Sequence, residues 1–194
     1  RITLHGNPMT LSIRLLPCMT ARLSCCIGQK INPVSVSVTV PHVSDTHFER
    51  RHSLQAERPG IYPDNDTQKK LEWPGGCEDP RIAVTAEGLY VMTYTQWNRH
   101  IPRLAIATSR NLKDWTKHGP AFAKAYDGKF FNLGCKSGSI LTEVVNGKQV
   151  IKKIDGKYFM YWGEEHVFAA TSEDLVNWTP YVNTDGSLRN CFHP

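Results

Sequence analysis

The chain has 194 residues, 40% of them apolar and 21% charged, with a formal net charge of +5. That length and balance fit a soluble globular domain with a sizeable core and exclude a disordered chain. No basic run is dense enough for nucleic acid and no apolar run long enough for a membrane helix, so neither partner is expected.

Six cysteines occur, Cys18, Cys25, Cys26, Cys77, Cys135 and Cys191. They form no CxxC pair and match no zinc spacing, so no metal site is expected. They read as free thiols of a reducing compartment rather than as disulfides, which places the chain in the cytoplasm. The patchily apolar stretch from Met9 to Cys26 is interrupted by Arg14 and Arg22 and makes a poor signal peptide.

Residues 1–34 are rich in Leu, Cys and Arg, with no clear period of 2 or 3.6. They read as an atypical N-terminal segment, a truncated or misread end, and no function is assigned to them. Val34 to Val40 alternates apolar and polar residues and reads as a half-buried strand. Ser44 to Phe48 reads as a turn. Residues 50–72, with Pro59, Gly60, Pro63 and Asp64-Asn65-Asp66, read as a long loop.

Trp73-Pro74-Gly75-Gly76 reads as a turn in which the glycine pair lets backbone pass close to another group. A strand is expected to begin at Ile82, placing Glu78, Asp79 and Arg81 at its entrance. Glu87-Gly88 is the tight turn to a second strand, Leu89–Thr95, and Leu104–Ser109 is a third. The pattern then returns. Gln149–Ile154 reads as a strand, Asp155-Gly156 as a two-residue hairpin turn, and Lys157–Trp162 and Val167–Ser172 as further strands.

This is an internal repeat. Ala107-Thr108-Ser109, Leu112 and Trp115 recur 63 residues later as Ala170-Thr171-Ser172, Leu175 and Trp178. A fainter third copy ends at Ser44–Phe48. Each unit is a small antiparallel sheet closed by a turn and an aromatic, which predicts propeller blades, with a β-sandwich as the alternative. No segment has a helical period. The tryptophans at equal places in the repeat are expected to anchor each blade's core. The fold class is thus all-β, and residues 35–194 read as a partial β-propeller domain. About three blades fit, fewer than the four to eight that close a ring, so the chain reads as a piece of a longer protein.

Asn132 to Ile140 opens one blade as Gly75 to Asp79 opens the one before, each with glycine and cysteine ahead of a charged residue. Equivalent blade starts converge on the axis of a propeller, so Asp79 and Lys136 are expected to face one cavity, a cation opposite an acid that suits an anionic co-substrate. The alternative is a solvated lysine in a Gly/Ser turn. Trp97, beside Asn98 and Arg99, can stack on a sugar ring or pack its own loop. Glu164, Glu165 and His166 offer a second acid or base, or a plain polar loop. His100 and His118 are expected in loops, facing solvent. No Ser/His/Asp order and no glycine-rich phosphate loop stands out.

Tyr62-Pro63-Asp64-Asn65-Asp66, Glu72 to Ile82 with its Glu-Asp-Pro-Arg, Ala107-Thr108-Ser109 with Trp115, Lys136 to Ile140, and Tyr158 to Glu164 together resemble glycoside hydrolase family 130 over about residues 43–194. The resemblance implies a five-bladed β-propeller and a β-1,4-mannoside phosphorylase-like enzyme. Such an enzyme cleaves a β-mannosidic bond with inorganic phosphate and inversion, giving α-mannose 1-phosphate. It implies Asp79 as general acid, acting on the leaving oxygen through a sugar hydroxyl. It implies Lys136, with Arg103 and Arg81 as weaker candidates, as holders of phosphate, and Glu78, Asp64, Trp97, Asn98 and Glu164 as the sugar-binding set. The partners are then a β-mannoside oligosaccharide and phosphate, with no cofactor, and homo-oligomerisation left open. Phosphate is already a nucleophile, so one acid plus cations suits phosphorolysis, whereas Glu164 or Glu165 as a base suits the hydrolysis that some family members perform. A non-catalytic carbohydrate-binding fragment is the remaining alternative.

Overall fold

The computed structural model describes residues 60–192, together with the backbone of three earlier strands. Those strands, β1 (Met9–Leu15), β2 (Met19–Cys25) and β3 (Ser35–Thr39), form an antiparallel sheet in the order β1-β2-β3. The expected strand at Val34–Val40 is β3. The other two lie where the sequence was read as patternless. Their residues do alternate, Met9, Leu11, Ile13 and Leu15 against Thr10, Ser12 and Arg14, and period 2 is what a strand requires. The turn expected at Ser44–Phe48, with the third copy of the repeat, lies outside the described residues.

The first full blade is β4 (Gly76–Val84), β5 (Tyr90–Trp97), β6 (Pro102–Ser109) and β7 (Thr116–Pro120), each antiparallel to the next. The second consists of β8 (Gly138–Ile140) and β11 (Lys153–Ile154) side by side on one edge of β12 (Lys157–Trp162), followed by β13 (Phe168–Ser172) and β14 (Trp178–Pro180). Between β8 and β11 a hairpin of β9 (Thr142–Val145) and β10 (Lys148–Ile151) leaves the second blade. It extends the first sheet through one parallel pair, Val150 with Val84. The strand expected over Gln149–Ile154 is therefore two. It changes sheets at Lys152, whose N–H donates to the Leu141 carbonyl. Asp155-Gly156 is the expected hairpin turn, with both residues at positive φ, 49° and 79°.

One turn of α-helix, α1 (Lys69–Glu72), lies within the expected loop, a correction to the reading of no helix. His118 stands on β7 and not in a loop, because this outer polar strand carries no apolar alternation to announce it.

The main core lies between the two blades. Val91, Leu104 and Ile106 of the first pack with Ile140, Met160, Trp162 and Trp178 of the second and with Phe122 of the connection between them. A second cluster, including Ile61, Cys77, Met92 and Tyr94, fills the other face of the first sheet. Trp178 is buried in the main core, while its counterpart Trp115 is half-buried against the second cluster. Both indole N–H groups donate to the carbonyl three residues back, Leu112 and Leu175, at 3.2 and 3.0 Å.

Candidate active site

The strand bearing Glu78, Asp79 and Arg81 starts at Gly76, six residues earlier than Ile82. Trp73, Pro74 and Gly75 make the expected turn, whereas Gly76 and Pro80 lie within β4, where the pairing with β5 shifts between Glu78 and Arg81. Asp79 and Pro80 together oppose the single residue Tyr94, which makes a β-bulge. Proline is tolerated at a bulge because no ladder N–H is needed there. Asp79 has a left-handed φ of 49°.

The bulge assembles the site. In a regular strand residues 78 and 81 would point to opposite sides. With one extra residue, Glu78 pairs with Thr95 and Arg81 with Thr93, on a single face of β5. Two residues further along that face is Trp97. Gly75 passes so close to the Trp97 carbonyl that no Cβ fits between them, as expected from the glycine pair.

The second blade supplies Lys136 to this face. Its ammonium lies 3.3 Å from Glu78 Oε2 and 5.1 Å from the centre of the Trp97 ring, which also carries the Arg99 guanidinium at 5.8 Å. Among the described residues, the carboxylate that Lys136 meets is thus Glu78, the neighbour of Asp79. Arg81 Nη1 donates to the Asp79 carbonyl at 3.3 Å. Glu164 arrives from the far end of β12, and its Oε1 accepts the backbone N–H groups of Lys136 and Ser137 at 2.7 and 2.9 Å.

The remaining expected residues sit differently. Arg103 is nearly buried; it donates to Asn132 Oδ1 from Nη2 and Nε at 2.6 and 3.2 Å and to the Ile101 carbonyl, beside the Phe131 ring. Burial lowers its pKa from the usual guanidinium range. Asn98 holds its own turn, accepting the N–H groups of His100 and Ile101. Asp64 is exposed and accepts from the Tyr62 hydroxyl and the Asn65 N–H.

Sequence reasoning missed three features. Thr93 and Thr95 are fully buried and donate to the carbonyls of Gly138 and Lys136, at 2.7 and 2.9 Å. Asn132 receives the Arg103 guanidinium, where the sequence marks it only as the start of a blade. Behind the site, Glu72 is wholly buried; it pairs with Lys117 at 2.6 Å and accepts from Tyr94 and Gln96, both at 3.0 Å. The buried Cys77 thiol beside it is pushed far up by burial, then by the Glu72 charge, and burial raises Cys135 to about 11. Cys77, Cys135 and Cys191 are free thiols. No group of three His, Cys, Asp or Glu side chains able to hold a metal ion occurs among the described residues. No helix among them is long and apolar enough to cross a membrane.

Residues 55–194 match the family model of glycoside hydrolase family 130, described as beta-1,4-mannooligosaccharide phosphorylase. The chain belongs to glycoside hydrolase family 130. A 1,2-beta-oligomannan phosphorylase of Thermoanaerobacter sp. (strain X514) is 33% identical over 117 residues, 59% of this chain and 32% of that protein. One solved structure is 72% identical over 100% of this chain and 50% of its own, with TM-score 0.76; it comes from work on glycoside hydrolases of this family that target beta-1,2 mannosidic linkages in Candida mannan. A glycosyl hydrolase from Bacteroides ovatus is 65% identical over 97% of this chain and 52% of its own, with TM-score 0.76. The chain spans about half the length of these solved structures. The family fold is a five-bladed β-propeller, and the blades described above are part of one.

Proposed function

We propose that the protein cleaves β-mannosidic bonds by a single inverting displacement with phosphate as nucleophile. A phosphate oxygen attacks the anomeric carbon from the face opposite the leaving group, the glycosidic C–O bond breaks, and α-mannose 1-phosphate forms. Asp79, at the apex of the bulge, supplies the proton that the leaving oxygen takes up, relayed by a sugar hydroxyl. Lys136 and Arg81, on the same face, balance the phosphate charge, with Arg103 behind them. Trp97, Asn98, Glu78 and Asp64 serve the sugar. The observation that supports phosphorolysis is the engagement of Glu164: Oε1 holds two backbone N–H groups, which gives this carboxylate a loop-anchoring role and leaves the site with Asp79 as its acid and cations for the nucleophile.

We assign the linkage as β-1,2, the one named for the curated relative and for the 72% identical structure, ahead of the β-1,4 of the family description. Free thiols at Cys77, Cys135 and Cys191 suit a reducing compartment, and we place the protein in the cytoplasm.

Hydrolysis is the second reading. It is favoured by the hydrolases named with the 72% identical structure, and by Lys136 and Arg103 already having partners in Glu78 and Asn132. The full-length protein incubated with β-1,2- and β-1,4-mannobiose, with and without phosphate, separates the two. Mannose 1-phosphate formed only with phosphate supports phosphorolysis; free mannose at an undiminished rate without phosphate establishes hydrolysis. Asp79→Asn is expected to slow either reaction about 100- to 10,000-fold; an unimpaired variant overturns Asp79 as the acid, and a full-length wild type that turns over neither substrate with or without phosphate overturns both readings in favour of a binding module.

A further inference from the structure

One face of β5 reads Val91, Thr93, Thr95, Trp97 at alternate positions. Along it the joint between the blades changes character. Val91 is part of the apolar core. Thr93 and Thr95, 1% and 0% exposed, instead donate their hydroxyls across the joint to the carbonyls of Gly138 and Lys136. Trp97 then offers its ring to the Lys136 ammonium. From the opposite side the second blade closes on the same residues: Glu164 Oε1 takes the N–H groups of Lys136 and Ser137, and Gly163 N–H donates to the Ser137 carbonyl at 3.1 Å. The peptide groups of residues 136–138 are therefore fixed from both blades, and the Lys136 side chain leaves this clamp towards Glu78.

We infer that Thr95 and Glu164 are positioning residues, which act through Lys136 by setting where its ammonium stands relative to Glu78 and Asp79. The inference rests on the reading of Lys136 as part of the reactive site. A buried hydroxyl committed to one backbone carbonyl has no reason to touch substrate, and its removal leaves that carbonyl unpaired so that the loop relaxes. Displacement of a reacting or charge-balancing group by about 1 Å costs on the order of 100-fold in rate.

The test is a double-mutant cycle on kcat/KM for a β-mannobiose, in whichever reaction the full-length wild type performs. Thr95→Val is expected to lose about 10- to 100-fold, Thr95→Ser, which keeps the hydroxyl, to recover most of it, and Thr95→Val added to Lys136→Ala to cost little beyond Lys136→Ala alone. Losses that multiply, a Thr95→Val enzyme as active as wild type, or a Lys136→Ala enzyme without defect each overturn the inference. If Thr95→Val does not fold, the cycle is read with Glu164→Gln and Glu164→Ala: the amide oxygen still accepts the two N–H groups, so Gln is expected to stay within about fivefold of wild type and Ala to fall with Lys136→Ala. An equal collapse of Gln and Ala makes Glu164 a reacting group and overturns its positioning role. Phosphate dependence of the wild type is read separately, so a hydrolase would overturn phosphorolysis and leave the cycle to decide this inference on its own.

Discussion

Asn111 and Asp174, 63 residues apart, hold the same turn with opposite chemistry. Asn111 Oδ1 accepts the N–H groups of Lys113 and Asp114 at 2.9 and 2.8 Å, and Asp174 Oδ1 accepts those of Val176 and Asn177 at 2.9 and 2.7 Å. Each turn then closes by an amide-to-carboxylate bond, Asn111 to Asp114 in the first blade and Asn177 to Asp174 in the second. The acid and the amide have exchanged places, and the backbone has not changed. In both, a serine hydroxyl, Ser109 or Ser172, accepts the leucine N–H at 2.9 Å.

The exchange predicts different responses to acid. Burial pushes the Asp174 carboxyl up, but the Asn177 N–H and amide, the Val176 N–H and the Ser172 hydroxyl outweigh it and bring it down to about 2. A group whose pKa is lower folded than unfolded adds stability above its unfolded value near 4, and loses it as pH falls towards 2. Asp174→Ala and Asn111→Ala are each expected to cost about 1 kcal/mol at neutral pH, as loss of a capping side chain does. The Asp174→Ala deficit should shrink between pH 4 and 2 while the Asn111→Ala deficit stays constant. Thermal unfolding across that range checks it, and parallel curves for the two variants would refute the account.

The buried pair behind the site predicts a response at the other end of the scale. Burial pulls the Lys117 ammonium down, but its bonds to Asp66 and Glu72 outweigh this and leave it raised. Its contribution is complete below the ordinary lysine value near 10.4 and is lost as pH rises through the folded value. Lys117→Met strands Glu72 in the interior and is expected to cost about 3–5 kcal/mol. Adding Glu72→Gln should restore part of that, since the amide carries no charge. Urea unfolding of the two single variants and the double gives the coupling, and strict additivity would show that the pair is not a unit.

Much of this fold can be read from local pattern because local chemistry decides it. The turn chemistry repeated at an offset of 63 residues and the Asp155-Gly156 hairpin depend on residues near in sequence, and the glycine pair signals the close pass at Gly75 though not its partner, Trp97. Alternation in β1 and β2 is local as well, but the cysteines and arginines among their residues mask the period. The bulge was hidden because Pro80 is a turn residue far more often than a strand residue. The crossing at Lys152 depends on which sheet edge is free, and that is a tertiary fact. Motif and repeat together point to Asp79 and Lys136, but that the carboxylate beside Lys136 is Glu78 depends on the bulge. Thr95 carries no signal in the sequence, because a threonine in a strand looks like any other until the neighbouring blade shows what its hydroxyl meets. Glu72, in Lys69-Lys70-Leu71-Glu72, has the sequence surroundings of an exposed residue and is wholly buried.

Gly163 stands beside the clamp, at φ 131°, where an added Cβ would run into the His166 carbonyl. Gly163→Ala is therefore expected to destabilise by about 2 kcal/mol or more through backbone strain. Its N–H is bonded to Ser137, so the Lys136 loop should loosen as well. Hydrogen exchange should show faster exchange at Lys136 and Ser137 in the variant than at β5 amides such as Met92. Uniform loss of protection would mean that Gly163 supports the whole blade and not this loop.

The left-handed φ of 49° at Asp79 sets stability against function at one residue. Glycine adopts this region freely and asparagine and aspartate tolerate it, while alanine is disfavoured there by roughly 1 kcal/mol. Asp79→Gly and Asp79→Asn should therefore unfold no earlier than wild type, and Asp79→Ala a few degrees earlier. Under the proposed role of Asp79 all three lack the proton donor, so all three should lose turnover together. Calorimetry beside an assay on a β-mannoside distinguishes this from a simple packing role, in which activity would follow stability and Asp79→Gly would be the most active of the three. The bulge that holds Asp79 in this conformation is the one that brings Glu78 and Arg81, its neighbours in β4, onto one face of β5, so backbone strain at this residue and the arrangement of the site have one origin.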